Sequence, residues 1–138
     1  MKKIKKDKGQ NDEKSAAQVV HFPANVLGPV AAFLSGQVQK LERNKKKLSE
    51  EDPFSDESRV TNNAASDTEA EEQYGHARTS ALREQVDRKI IQMKKALTRV
   101  RMGKYGICEN CGKMIDTDRL MVYPEATLCV SCEAKKEK

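Results

Sequence analysis

Leucines recur at positions 27, 34, 41 and 48, with Ala31 and Val38 at the complementary positions between them. A seven-residue apolar repeat of this kind predicts a helix with one buried seam, as in a coiled coil. Pro23 and Pro29 suit the start of that helix, and Lys45 interrupts the seam in its last turn. Turn formers then take over in Ser49-Glu50-Glu51-Asp52-Pro53-Phe54-Ser55-Asp56, and Thr61-Asn62-Asn63 has poor helix propensity. A second apolar stripe runs through Ala70, Tyr74, Ala77, Ala81, Leu82, Val86, Ile90, Met93, Leu97 and Val100, mostly three or four residues apart. Ser66 or Asp67 is placed to cap this helix, and Gly103 and Gly106 end it.

Neither stripe can be buried alone, so each supplies the other's core. The expected fold class is mainly α: an antiparallel coiled-coil helical hairpin followed by a small C-terminal module. The expected division is a disordered basic tail over 1–20, the hairpin over 21–102 with its tip around 49–70, and the module over 103–138 with a short helix and tail. At 138 residues, 4% aromatic, 34% charged and with no Trp, the chain has no room for a large globular core. No segment approaches the roughly 20 apolar residues of a membrane span.

Charge changes the picture by its placement. The net charge is +5 and the pI about 9.0. Residues 50–72 hold nine acidic side chains against one basic, Arg59, whereas 83–104 hold eight basic against two acidic. Folded as a hairpin, the acidic block lands at the tip and the basic residues line the stem. The result is a thin rod, negative at its point.

All four cysteines fall in one pattern, Cys108-x-x-Cys111, seventeen residues, then Cys129-x-x-Cys132. Two such knuckles predict one tetrahedral Zn²⁺ held by four thiolates. Four sulfurs close the coordination shell, so the zinc is expected to be structural, without the open position a catalytic zinc keeps. Disulfides would need an oxidising compartment. No apolar stretch follows the N-terminal lysines, so a cytoplasmic setting is expected. His21 and His76 have no acid–base partner visible in the sequence, and an enzyme is not expected. Phe33 and Tyr74 read as packing residues. Phe54, in the acidic loop, either folds back on the hairpin or inserts into a partner.

The string Gly103-Lys-Tyr105-Gly106-Ile-Cys108-Glu-Asn-Cys111-Gly112-Lys-Met-Ile115, continuing through Arg119-Leu120, Pro124, Ala126, Cys129 and Cys132, resembles the zinc-finger pattern of the DksA/TraR family of bacterial transcription factors. That resemblance extends less specifically over residues 22–102. It implies a cytoplasmic monomer that binds RNA polymerase rather than specific DNA, its hairpin entering the secondary channel to act near the active centre. It also implies ppGpp as a ligand shared with the polymerase. The best-known members carry Asp-x-x-Asp-x-Ala at the tip. Here the nearest string is Asp67-Thr68-Glu69-Ala70, which makes Asp67, Glu69 and Ala70 the candidate partner-binding residues. The alternative is a zinc-stabilised nucleic-acid-binding protein, suggested by the basic stem but lacking a recognition helix or stacking platform.

Overall fold

The computed structural model describes residues 21–55 and 66–136. The expected basic tail and residues 56–65 of the expected tip lie outside the described residues. Two long helices, α1 (Ala24–Glu50) and α2 (Ser66–Arg101), pack against each other as an antiparallel hairpin. At 1.5 Å per residue they extend about 40 and 54 Å. Two short helices, α3 (Thr117–Val122) and α4 (Val130–Lys136), belong to the C-terminal module.

The seam of α1 follows the leucine repeat. Leu34 and Val38 are buried, and Leu27, Ala31, Leu41, Lys45 and Leu48 are half-buried along the same face. Lys45 remains in the seam because its ammonium reaches Asp87 of α2 at 2.6 Å. A polar seam residue with one partner favours a single register. Pro29 lies inside α1, not at its start, and Leu27 is helical despite the Gly28-Pro29 pair that follows it. The helix begins behind Pro23, whose carbonyl accepts the Val26 and Leu27 amides at 3.0 and 3.2 Å.

α2 meets α1 differently along its length. From Val86 onward the expected stripe holds: Ile90, Met93 and Val100 are buried, with Ala96 beside them. Between 70 and 82 the expectation fails. Ala70, Tyr74, Ala77, Ala81 and Leu82 are all exposed, Tyr74 by 73%. The half-buried residues of this stretch are instead Glu72, Gly75, His76 and Thr79, followed by Arg83. α1 has ended by this level, so α2 faces a turn here, not a second apolar stripe. Phe33, expected to pack, is likewise exposed.

α2 closes on a Schellman turn. The Gly103 amide bonds the Val100 carbonyl, the Lys104 amide bonds the Arg99 carbonyl, and Gly103 takes φ +69°. That turn aims the chain back across the base of the hairpin. One cluster then joins the two parts of the molecule: Leu34, Ala96 and Val100 from the helices with Tyr105, Cys108, Ile115, Leu120 and Cys132 from the module. Phe22 covers the junction, its ring 6.0 Å from Tyr105. At Gly106, with φ +79°, a Cβ would lie 2.3 Å from the Phe22 ring, so glycine is required both for the turn and for the contact.

Candidate metal centre and hairpin tip

The first cysteine pair is built by a tight backbone turn. Ile107 and Met114 form an antiparallel bridge, the Cys108 amide donates to the Lys113 carbonyl at 2.8 Å, and the Gly112 amide returns to the Cys108 carbonyl at 3.0 Å. Gly112 takes φ +68°, which folds the chain back beneath the sulfurs. The second pair opens α4. The Cys129 carbonyl accepts the Cys132 and Glu133 amides, and the Cys129 amide points at Cys108 Sγ, 3.4 Å away.

The four Sγ atoms of Cys108, Cys111, Cys129 and Cys132 all lie within 4.8 Å of one another. Cys111 and Cys129 approach to 3.7 Å. Sulfurs about 2.3 Å from a tetrahedral Zn²⁺ are separated by about 3.8 Å, so this donor set fits one zinc ion. None of the four is in a disulfide. As thiols they would titrate unequally. The Ser131 hydroxyl and the Cys132 amide bring Cys129 down to about 6. Cys132 is pushed up to about 11: the Asn110 side chain favours its thiolate, but Cys129, burial and the other sulfurs outweigh it. Clustered sulfurs cannot all carry charge without a cation among them, and a bound metal removes that conflict.

Charged side chains fasten this centre to the stem. Arg99 of α2 donates to the carbonyls of Lys104 and Ile107, at 3.2 and 2.5 Å, and pairs with Glu109 at 3.1 Å. Lys95 reaches the same Glu109 at 2.7 Å. Burial opposes charge on Glu109, yet Lys95 and Arg99 hold its pKa below the ordinary carboxylate range. Arg119 of α3 pairs with Glu133 of α4. Tyr105 donates to the Pro124 carbonyl at 2.9 Å, and burial raises its pKa above the ordinary 10.0. His21 Nδ1 donates to the Gly103 carbonyl at 2.7 Å.

At the other end of the hairpin Asp52 is buried, 6% exposed, directly after α1. His76 Nδ1 lies 2.8 and 2.9 Å from its two carboxylate oxygens, the Phe54 amide donates to Oδ1 at 3.0 Å, and an Arg83 nitrogen stands 3.9 Å away. The His76 hydrogen bond lowers the Asp52 pKa below its ordinary 3.8, helped by the Phe54 amide. His76, for which the sequence shows no acid–base partner, is therefore the partner of Asp52. Phe54 folds back onto it, with ring centroids 4.4 Å apart. Of the tip candidates, Glu69 and Ala70 are exposed near the start of α2. Asp67 lies in the first turn of α2, but its side chain is outside the described residues, as is the capping position before Ser66.

Comparison with protein families places the centre. Residues 103–138 match the prokaryotic dksA/traR C4-type zinc finger. That match covers the turn after α2 and all four cysteines, so the metal of this finger is zinc, and Cys108, Cys111, Cys129 and Cys132 are positioned to bind one such ion. The structure of transcription factor DksA2 from Pseudomonas aeruginosa is similar in fold, with TM-score 0.70 and 24% sequence identity over 91% of each chain. Comparison with curated protein sequences yields no match. The hairpin carrying a C-terminal four-cysteine zinc finger is thus the architecture of this chain. No described helix is long and apolar enough to cross a membrane.

The structure brings together the four cysteines that their spacing singled out. It also joins residues the spacing did not mark: Arg99 with Glu109 beneath the finger, and Asp52 with His76 and Arg83 at the tip. Arg99 had a visible signal in its position, one turn before the closing glycine. The Asp52–His76 pair spans 24 residues and had none beyond a glycine, Gly75, in a long helix.

Proposed function

We propose that this chain is a bacterial transcription regulator that binds RNA polymerase, its hairpin entering the secondary channel with the acidic end toward the active centre. The observation that carries this reading is the mounting of a stiff two-helix arm on a finger of the dksA/traR type, through one shared core. The likeness in fold to a transcription factor over 91% of the chain supports it. The protein acts as a cytoplasmic monomer and without catalysing a reaction of its own, since four thiolates leave the zinc no open position.

α2 supplies the probe. Its residues 66–75 project about 15 Å beyond the level of Asp52, and Asp67, Glu69 and Ala70 lie on that projecting segment. An acidic segment of this kind suits basic channel walls or the surroundings of a catalytic metal ion. ppGpp belongs to this reading only as a ligand shared with the polymerase. Of the four cations that line the groove between α2 and the finger, Lys89, Lys95, Arg119 and Lys136, the first three are already paired with Glu125, Glu109 and Glu133. The same pairing weakens the nucleic-acid reading, because Lys45 and Lys94 of the stem also face Asp87 and Glu42.

Transcription from a purified bacterial polymerase tests the proposal. The zinc-loaded chain should change promoter open-complex lifetime. Asp67→Asn with Glu69→Gln should remove that effect while polymerase binding persists. Tight duplex-DNA binding with no polymerase binding would replace this reading by the nucleic-acid one.

A further inference from the structure

We propose that Asp52 and His76 form a latch that holds the turn after α1 against α2 and so positions the projecting tip. Asp52 is the one charged side chain buried among the described residues. A carboxylate is withdrawn from water only where hydrogen bonds and charge replace hydration. Its oxygens meet three groups that do so: the Phe54 amide at 3.0 Å, the His76 ring at 2.8 and 2.9 Å, and the Arg83 guanidinium at 3.9 Å. An ionised carboxylate only accepts, so His76 Nδ1 carries the proton in this contact.

One carboxylate thereby does two things. Through the Phe54 amide it closes its own turn, which the Ser55 amide and hydroxyl tighten by donating to the Asp52 carbonyl at 2.9 and 2.8 Å. Through His76 it fastens that turn to α2. The neighbours fit the same purpose. Phe54 lies across the His76 ring at 4.4 Å, shielding the pair from one side. Pro53 sits so close to α2 that a Cβ on residue 75 would come within 3.1 Å of its ring. Glycine inside a helix is unfavourable, and here the close approach of Pro53 gives it a reason.

The latch matters because of what lies beyond it. Above His76, α2 runs on without α1 alongside; the next ion pair down the seam, Lys45–Asp87, is about 16 Å away along the helix. The closed latch keeps α1 and its turn braced against α2 up to Gly75. When it opens, the bracing of the projecting segment retreats toward the stem. Asp52 and His76 are positioning residues: they need touch no partner to govern where the tip points. This functional consequence rests on the polymerase reading above, whereas the latch itself does not.

Two measurements separate those claims. On the free zinc-loaded chain, amide hydrogen exchange is read at Phe54 and Ser55. His76→Ala leaves the acceptors of both amides in place, so a free turn would exchange as in the parent. The latch predicts exchange about tenfold or more faster, because the turn opens locally. His76→Gln, which retains a donor, should fall between the two. Unchanged exchange in His76→Ala overturns the latch. On purified polymerase, His76→Ala should bind with the parent's affinity yet lose most of the effect on open-complex lifetime. A full effect from a variant whose turn has opened overturns the positioning role. If the parent chain itself has no effect on transcription, the polymerase reading fails, and the exchange data still decide the latch.

Discussion

At the finger end of the hairpin, Leu34, Ala96 and Val100 lie almost wholly out of water against Tyr105, Ile115, Cys108 and Cys132. At the tip the same two helices are joined through a carboxylate, an imidazole and a guanidinium, and the apolar residues nearest to it along the seam, Leu48 and Val86, are only half-buried. The base is held by burial, which is non-directional and grows with area. A few directional bonds hold the tip, and each is lost when one partner changes. A rod built this way is firm at its base and adjustable at its tip. Local opening should therefore cost least near the turn and most beside the finger.

Loss of the metal should give the largest effect, because it breaks the comparison at its strong end. Cys108→Ser, or a strong chelator, should remove the single zinc ion, which metal analysis of the purified chain reads directly. Structural zinc sites contribute on the order of 10–16 kcal/mol of apparent binding free energy in small peptides. Cys108 and Cys132 belong to the cluster that includes Leu34. The hairpin base should therefore loosen with the finger and lower the melting temperature of the whole helical signal. A hairpin melt unmoved by zinc loss would show the two parts to be independent.

Leu34→Ala sharpens the same contrast without touching the metal. Leu34 is fully buried, and its truncation should destabilise the chain by about 2–5 kcal/mol in denaturant unfolding. Leu48→Ala, on the same stripe but half-buried near the tip, should cost clearly less. Equal losses would mean that the seam is uniform after all.

Acid should act on the tip through Asp52. Its folded pKa is depressed below 3.8, chiefly by the His76 hydrogen bond and then by the Phe54 amide. The stabilisation this provides is complete above the unfolded value of 3.8 and is lost as pH falls through the lower folded value. Protection of the Phe54 amide should accordingly collapse below about pH 4 in the parent. Asp52→Asn has no such carboxylate and should start with less protection and show a flatter acid limb. Thiolate protonation and zinc loss at low pH affect both chains alike, so the difference between them isolates Asp52.

The smallest effect on folding is expected at the candidate probe residues. Charges in the first turn of a helix contribute about 0.3–1 kcal/mol each, so Asp67→Asn with Glu69→Gln should barely shift the melting curve. A large loss would give these acids a structural role.

The stem and the finger were legible for the same reason: their signals are local. Leucines seven apart, and paired cysteines two residues apart, state their geometry within a few turns of chain. The upper half of α2 was misleading because Ala70, Tyr74, Ala77 and Ala81 mimic a buried stripe, although alanines and one tyrosine carry little hydrophobic weight. Its true inner face is Gly75, His76, Thr79 and Arg83, which becomes meaningful only when Asp52 is brought alongside. Burial of a polar face depends on a distant partner, and no periodicity reports that. Glu109 was hidden as one charge in a stretch full of charges, and Arg99 was marked only by its place one turn before Gly103.

Cross-linking from the projecting segment tests the central claim most directly. Tyr74 is 73% exposed on α2, so its replacement by a photoreactive phenylalanine should leave the packing unchanged. Irradiated with purified bacterial core RNA polymerase, the zinc-loaded chain should cross-link to polymerase segments lining the secondary channel. A probe at Met121, which is 82% exposed on the finger, should label only the outer rim. Tyr74 cross-links confined to the outer surface of the polymerase or to duplex DNA, or none at all, would contradict the account.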